Sequence, residues 1–152
     1  DGADLRIGAP VTKPGALTED ERKAMNYHAR IGYEILHDEQ RSPLTDLAAE
    51  IAISHHERWD GNGYPNGLKG EEIPLSGRIV ALCDVYDALR SPRPYKQAWS
   101  AERAQAHIRD NAGGHFDPHL VQIMSSMFAE LEALQLTMAD RAEPFTLSPQ
   151  HD

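Results

Sequence analysis

The chain has 152 residues, of which 40% are hydrophobic and 26% charged, and these values predict one folded soluble domain rather than a disordered segment. Its formal net charge of −9 argues against a polymeric nucleic acid or an anionic membrane surface as the main partner. No apolar run reaches the roughly 18 residues of a membrane span, so we expect no membrane insertion. The single cysteine, Cys83, excludes an intramolecular disulfide, and its apolar surroundings predict a buried thiol.

The first helix is predicted after an irregular segment over residues 1–17, which is rich in glycine and proline. Thr18 and Glu21 have the spacing of a capping box, so the helix is expected to begin there. Its apolar stripe at helical spacing consists of Met25, His28, Gly32, Ile35 and Leu36. His28 is therefore predicted to point inward, although a lone inward histidine is more often a hydrogen-bonded core residue than a metal ligand.

The second helix is predicted to begin at Ser42-Pro43, because proline is favoured at the first helical position. Its apolar stripe consists of Leu44, Leu47, Ala48, Ile51 and His55. His56 follows directly and is rotated by about 100° around the helix axis. Two inward histidines on different helices, one of them with a histidine neighbour, favour a metal site over two unrelated core residues.

A long loop is predicted over residues 57–78, where glycines at positions 61, 63, 67 and 70 and prolines at positions 65 and 74 interrupt any helical period. Loops of this length inside a compact domain are usually functional. Tyr64 lies in the middle of the loop, between Gly63 and Pro65. Two interpretations of this tyrosine stay open: it stacks on a planar ligand, or it packs beneath the loop.

The next helix is predicted over residues 76–90, which are nearly all apolar and therefore expected to be buried. A buried carboxylate is costly unless it is paired or bound to a metal, so Asp84 is predicted to be a metal ligand and Asp87 to brace a neighbour. Arg93 and Lys96 follow and concentrate positive charge in an acidic chain. They suit phosphate recognition, and ordinary surface cations are the alternative.

Two more helices complete the pattern. Ser100 is predicted to cap a helix to about Asn111, and Asp117-Pro118 to begin a last helix to about Leu136. The other histidines after the loop are expected to be structural or exposed: His107, His115 and His119.

Every periodic segment has the helical period, so the predicted fold class is all-α, with about five helices. The domain is expected to cover residues 1–138, followed by a polar C-terminal tail over residues 139–152. Because the chain does not begin with Met, we expect it to be part of a longer protein.

Three segments together resemble the HD-GYP family of bacterial phosphodiesterases, which belongs to the HD superfamily of metal-dependent phosphohydrolases. They read HHERWDGNGYPNGLKGEEIPLSGRIVALCDVYDAL, SPRPYK and GGHFDPHLV, and the resemblance runs from about Ile7 to Val121. It implies an HD-type helical bundle with a long GYP loop. It also implies hydrolysis of cyclic di-GMP to linear pGpG, and it leaves further hydrolysis to GMP open. Such a domain would be a cytoplasmic signal output, as in two-component systems.

The resemblance implies specific site residues. The implied metal ligands are His28, His55, His56 and Asp84. They would hold two or three divalent transition metals, and Fe, Mn, Ni and Zn all suit them. The implied substrate-binding residues are Gly63, Tyr64, Pro65, Arg93 and Lys96. The implied nucleophile is a metal-activated water, and no side chain is assigned as general acid. Docking of a diguanylate cyclase-type domain on the GYP loop and formation of a homodimer are further implications.

The chain departs from the family at the His-Asp dyad. The segment expected just after the dyad reads DGADLRIGAP here, and no histidine precedes Asp4. His37-Asp38 spells the dyad but lies nine residues after His28 and off its stripe, so we expect no ligand there; His151-Asp152, in the tail, is dismissed likewise. Either the dyad lies upstream of residue 1, or the domain is degenerate and acts as a cyclic di-GMP receptor or docking module. The intact pattern from His28 onward favours the first explanation.

Overall fold

The computed structural model describes residues 19–37, 42–92 and 97–141, and these residues form six α-helices and no β-strand. The helices are α1 (Glu19–Leu36), α2 (Pro43–Ser54), α3 (Leu75–Arg90), α4 (Ala101–Asp110), α5 (Pro118–Ser126) and α6 (Phe128–Arg141). A short 3₁₀ turn at Gly70–Glu72 interrupts the loop between α2 and α3. The all-α class is confirmed, with six helices in these ranges where about five were expected. Thr18, and with it the predicted capping box, lies outside them.

Two helix starts follow the capping chemistry that the sequence predicts. The Ser42 hydroxyl accepts a hydrogen bond from the Thr45 backbone N–H at 3.2 Å, and the Thr45 hydroxyl accepts one from the Ser42 N–H at 2.8 Å. At α4, the Ser100 hydroxyl accepts a bond from the Arg103 N–H at 3.3 Å. Each cap satisfies backbone donors that have no partner within the helix. These bonds confirm the predicted starts of α2 and α4.

The prediction of one continuous last helix to about Leu136 is wrong. Met127 separates α5 from α6, with backbone angles φ −104° and ψ 0°, and its N–H bonds back to the Met124 carbonyl at 2.9 Å. The break places Phe128 in the core, where it is 4% exposed and stacks on Tyr86 with ring centroids 5.6 Å apart. A continuous apolar pattern in the sequence therefore conceals an interruption of the helix at Met127.

Helix α3 is the central element, because it packs against α2, α4 and α5. Burial of each large apolar side chain in the core between these helices contributes about 2 kcal/mol to stability. The core consists of Leu82, Tyr86, Leu89, Ala104, Ile108, Phe116, Val121, Met124 and Phe128. None of the helices in the described ranges is long and apolar enough to cross a membrane.

The predicted inward faces of the first three helices need correction. Helices α1 and α2 meet through small residues, Ala29 and Ala49, which are each 1% exposed. The contact face of α1 is thus centred one residue after His28, and His28 itself is exposed. Ile35 and Leu44, which were assigned to inward stripes, are 71% and 75% exposed. Small residues let the two helices approach closely, and the larger apolar side chains lie at the edges of the contact.

Helix α3 is also not buried all round. Its buried positions lie on one half of the helix circumference: Gly77, Ala81, Leu82, Tyr86 and Leu89. Cys83 lies on the other side and is exposed, so the prediction of a buried thiol is wrong. Composition alone could not indicate which side of an almost wholly apolar helix would be covered.

Candidate metal centre

Three histidines converge where the C-terminal end of α2 meets α1. His28 lies on α1, His55 is the C-cap of α2, and His56 follows it. One ring nitrogen from each lies within 4.8 Å of those of the other two. The Nε2 atoms of His28 and His56 are 2.9 Å apart. Two nitrogen ligands of one tetrahedral zinc ion lie about 3.3 Å apart, because each is about 2.0–2.1 Å from the metal. At 2.9 Å the Nε2 atoms of His28 and His56 are within hydrogen-bond distance of each other, and a small widening of this separation would admit a shared divalent ion.

The backbone at the end of α2 fixes the tautomer of His55. Its Nδ1 atom lies 2.9 Å from the Ile51 carbonyl oxygen and 3.1 Å from the Ala52 carbonyl oxygen. A carbonyl oxygen only accepts, so Nδ1 must carry the proton. Nε2 is then left with a free lone pair. Metal-binding histidines are commonly oriented in this way by a bond from the other ring nitrogen.

The environment of His56 favours a neutral ring. Burial, followed by the charges of the His55 and His28 imidazoles, lowers the pKa of His56 to about 4. The rings of His55 and His56 are only 3.9 Å apart between centroids. A neutral imidazole is the form that binds a metal, so His56 is ready to act as a ligand at neutral pH.

The loop after the histidine pair folds back over His56. The Tyr64 backbone N–H donates to the His56 carbonyl at 3.2 Å, and the Tyr64 ring stacks on the His56 imidazole with centroids 4.9 Å apart and planes inclined by 21°. Burial raises the pKa of the Tyr64 phenol, which therefore stays protonated near neutrality. Packing beneath the loop, one of the two interpretations left open for Tyr64, accounts for this contact.

Gly63 makes the close return of the loop possible. A Cβ atom at Gly63 would lie 2.4 Å from the Arg58 nitrogen and 2.6 Å from the Glu57 Cα. These are backbone atoms that cannot move aside, so no other residue fits here. The peptide bond between Tyr64 and Pro65 is cis.

A second turn supports the loop from the other side. The Trp59 N–H donates to the His115 carbonyl at 3.1 Å, and the Asp60 N–H donates to the Gly114 carbonyl at 2.9 Å. His115 is half-buried, and burial, with a smaller effect from Arg58, lowers its pKa to about 4. Its charge also contributes to the lowered pKa of His56. His115 was expected to be structural or exposed; it is structural and close to the site.

Sequence reasoning passed over Glu57, which is the residue directly after the histidine pair. It is 2% exposed, and its carboxylate accepts bonds from the backbone N–H groups of Asn66 and Leu68, at 2.7 and 3.0 Å. A signal was present in the sequence, because an acid beside a glycine-rich loop is a natural acceptor for loop N–H groups that lack a partner.

The acidic residues predicted on α3 are exposed and do not belong to the histidine group. Asp84 is exposed on α3 and is not part of the histidine group, so the burial predicted for it is wrong. Asp87 is also exposed, and it lies 3.4 Å from the Ser91 hydroxyl, which is a weak brace. His37, the histidine of the apparent dyad, is exposed and stacks on Tyr33. Arg93 and Lys96 lie outside the described residues, and their role stays a prediction.

Comparison with protein families and known proteins gives consistent results. The model of the HD domain family matches residues 6–120 of this chain. A cyclic di-GMP phosphodiesterase response regulator from Xanthomonas campestris is 51% identical over 122 residues, which cover 80% of this chain and 32% of that protein. A 3′3′-cGAMP-specific phosphodiesterase from Vibrio cholerae is 43% identical over 128 residues, covering 84% of this chain and 24% of that protein.

The fold is similar to that of a solved structure. A crystal structure of a cyclic GMP-AMP specific phosphodiesterase from Vibrio cholerae superimposes with a TM-score of 0.60 at 28% identity, covering 73% of this chain and 25% of that one. The chain thus spans about a quarter to a third of the length of these relatives.

Proposed function

Because the chain belongs to the HD domain family, and to the HD-GYP group within it, we propose that it is a metal-dependent phosphodiesterase that hydrolyses cyclic di-GMP to linear pGpG. The observation that carries this proposal is the convergence of three histidine nitrogens within 4.8 Å of one another. The names of the relatives support the substrate class.

In this proposal His28, His55 and His56 hold a divalent transition metal, and Asp84 serves a second ion in a site of two or three. Imidazole nitrogen and carboxylate oxygen suit Fe, Mn, Ni and Zn alike. When bound, such an ion lowers the pKa of water and stabilises negative charge on phosphate oxygens. The exposed carboxylate of Asp84 remains accessible to an ion or a substrate.

The protein itself supplies ligand orientation and substrate binding. The Ile51 and Ala52 carbonyls present Nε2 of His55, and burial keeps His56 neutral. Arg93 and Lys96 would bind phosphate oxygens, which need local cations in a chain of net charge −9. Gly63, Tyr64 and Pro65 would shape the wall of the site nearest to a guanine base.

A second candidate function is a receptor or docking module that binds cyclic di-GMP without hydrolysing it. The observation that favours it is the position of Asp84, which lies outside the histidine group. Under either function the chain would be the cytoplasmic output of a bacterial two-component pathway, and one relative is named a response regulator. The GYP loop would then dock a diguanylate cyclase-type domain, and pairs of chains would form homodimers.

Turnover of cyclic di-GMP by the full-length protein, loaded with Mn²⁺, Fe²⁺, Ni²⁺ or Zn²⁺, tests the proposal. Chromatography of the products should show pGpG with at least one metal, and His55→Ala should remove the activity. The matched control is His119→Ala, which changes an exposed histidine outside the cluster. Binding of cyclic di-GMP without any product would favour the receptor function. Turnover of 3′3′-cGAMP alone would correct the substrate.

A further inference from the structure

We propose that Glu57 is a positioning residue for the metal site: its carboxylate ties down the loop that holds Tyr64 against the His56 imidazole. The inference deepens the proposed function, because it gives His56 a supporting structure as a metal ligand. Its structural half can be measured without metal or substrate, so it can stand or fall independently of catalysis.

Glu57 is buried and hydrogen-bonded to the loop that follows it. Its side chain is 2% exposed, and both carboxylate oxygens accept bonds from the loop backbone, Oε1 from Asn66 at 2.7 Å and Oε2 from Leu68 at 3.0 Å. The Glu57 N–H donates to the Ser54 carbonyl at 3.0 Å, which anchors the residue to the end of α2. A buried carboxylate is costly unless it is hydrogen-bonded, so these bonds are specific features of the folded loop.

The loop held by these bonds returns to His56. The chain leaves His56, runs outward, and returns so that Gly63 lies against the Glu57 backbone and Tyr64 lies on His56. Glu57 holds the returning loop segment just after Tyr64, through the backbone N–H groups of Asn66 and Leu68. The return is therefore anchored on both sides of the Tyr64 ring, by its own N–H bond to His56 and by the carboxylate of Glu57.

A second acid, Glu72, caps the same loop away from His56. Glu72 performs the same chemistry in the same loop, because its carboxylate accepts a bond from the Lys69 backbone N–H at 3.0 Å. It closes the 3₁₀ turn, however, and it is exposed. Glu72→Gln is thus a matched control for Glu57→Gln. Residues that orient metal ligands typically change metal affinity by about 10–100-fold when they are altered.

The central measurement is the NMR shift of the His56 ring protons in the metal-free chain. The stacked Tyr64 ring should displace these resonances by its ring current, and Tyr64→Leu measures the full displacement. We expect Glu57→Gln to remove at least half of it, since the amide presents N–H to a backbone N–H. Glu72→Gln should leave it unchanged. A full displacement in Glu57→Gln would overturn the proposal.

Zinc titration by calorimetry gives the second readout. Glu57→Gln should weaken Zn²⁺ binding by about tenfold or more, and Glu72→Gln by less than about twofold. Equal weakening by the two variants would reduce Glu57 to a general loop cap and contradict the proposal. If the ring shift and Zn²⁺ binding behave as expected but no variant hydrolyses cyclic di-GMP, the proposed function fails and the role of Glu57 stands.

Amide hydrogen exchange in the unaltered chain covers the case in which Glu57→Gln does not fold. Backbone N–H groups in loops usually exchange quickly. Those of Asn66 and Leu68 should exchange slowly, because they donate hydrogen bonds to the buried carboxylate of Glu57. Exchange as fast as in exposed loop positions would refute the anchoring on which the proposal depends.

Discussion

Substitution of Gly77 by alanine tests how α3 positions the end of α2. A Cβ atom at Gly77 would lie 2.2 Å from the Ser54 hydroxyl oxygen and 2.8 Å from the Ser54 Cβ, whereas ordinary contacts begin at 3.4 Å. Ser54 is 1% exposed and its hydroxyl bonds to the Glu50 carbonyl. Rotation of the hydroxyl cannot relieve the contact with Cβ, so the helices must separate.

The magnitude follows from two opposing terms. Overpacking of a buried contact costs about 1–3 kcal/mol, and this contact is severe enough to place it near the upper end. Alanine in place of glycine within a helix regains about 1 kcal/mol. We therefore expect Gly77→Ala to lower the free energy of unfolding by about 2 kcal/mol, and to weaken metal binding because Ser54 directly precedes His55.

Gly32→Ala on α1 is the matched control. Its Cβ would lie 3.3 Å from the Ala52 Cβ, a contact that needs only a small adjustment. The cost of this small adjustment opposes the gain in helix propensity, so the stability of the chain should change by less than about 1 kcal/mol. Urea denaturation followed by circular dichroism measures both variants. If Gly77→Ala were as stable as Gly32→Ala, the close contact between α2 and α3 would not exist as described.

Three further predictions concern pH, an ion pair and phosphate recognition. His56 and His115 each have a pKa lowered to about 4 in the folded chain, whereas unfolded histidines take up protons near pH 6.5; the metal-free chain should therefore lose stability as the pH falls through this interval. Asp117→Ala should lower the free energy of unfolding by about 3 kcal/mol, because it leaves the guanidinium of Arg78 without its carboxylate at 2.8 Å. Arg93→Ala should weaken binding of cyclic di-GMP and leave the metal content unchanged.

Each of these predictions has a control or an outcome that would contradict it. A denaturation midpoint that is constant between pH 7 and 5 would refute the assigned histidine environments. Asp60→Asn changes the more exposed Arg58–Asp60 pair and should cost only about 1 kcal/mol or less, so equal costs at both acids would contradict the burial argument. Arg109→Ala removes an exposed cation on α4, and equal losses of affinity in it and in Arg93→Ala would indicate a general charge effect.

Local chemistry made the helix starts predictable. The caps at Ser42 and Ser100 depend on hydrogen bonds within three residues, and these are present in the structure. The break at Met127 was not predictable, because it depends on the packing of Phe128 in the core, which involves residues distant in the sequence. Periodicity indicates that a segment is helical, but it does not indicate an interruption by a single non-helical residue.

The sequence predicted the histidines of the candidate site. It did not predict the surroundings of Asp84 or the loop contacts of Glu57. The pairing of His28 with His55 and His56 followed from their places on two helices and from the family resemblance. The prediction for Asp84 relied on the apolar character of α3, which did not show which side would be covered. Glu57 escaped notice because its role depends on backbone N–H groups nine and eleven residues further along.

Metal stoichiometry tests the central claim most directly. The 152-residue chain is saturated with Mn²⁺ or Zn²⁺, freed of excess ions by gel filtration, and analysed by mass spectrometry for metal bound per chain. Convergence of His28, His55 and His56 on one ion predicts at least one tightly held metal, lost in His55→Ala and retained in His119→Ala. Equal metal content in the unaltered chain and in His55→Ala would contradict the claim that these three histidines form a metal site.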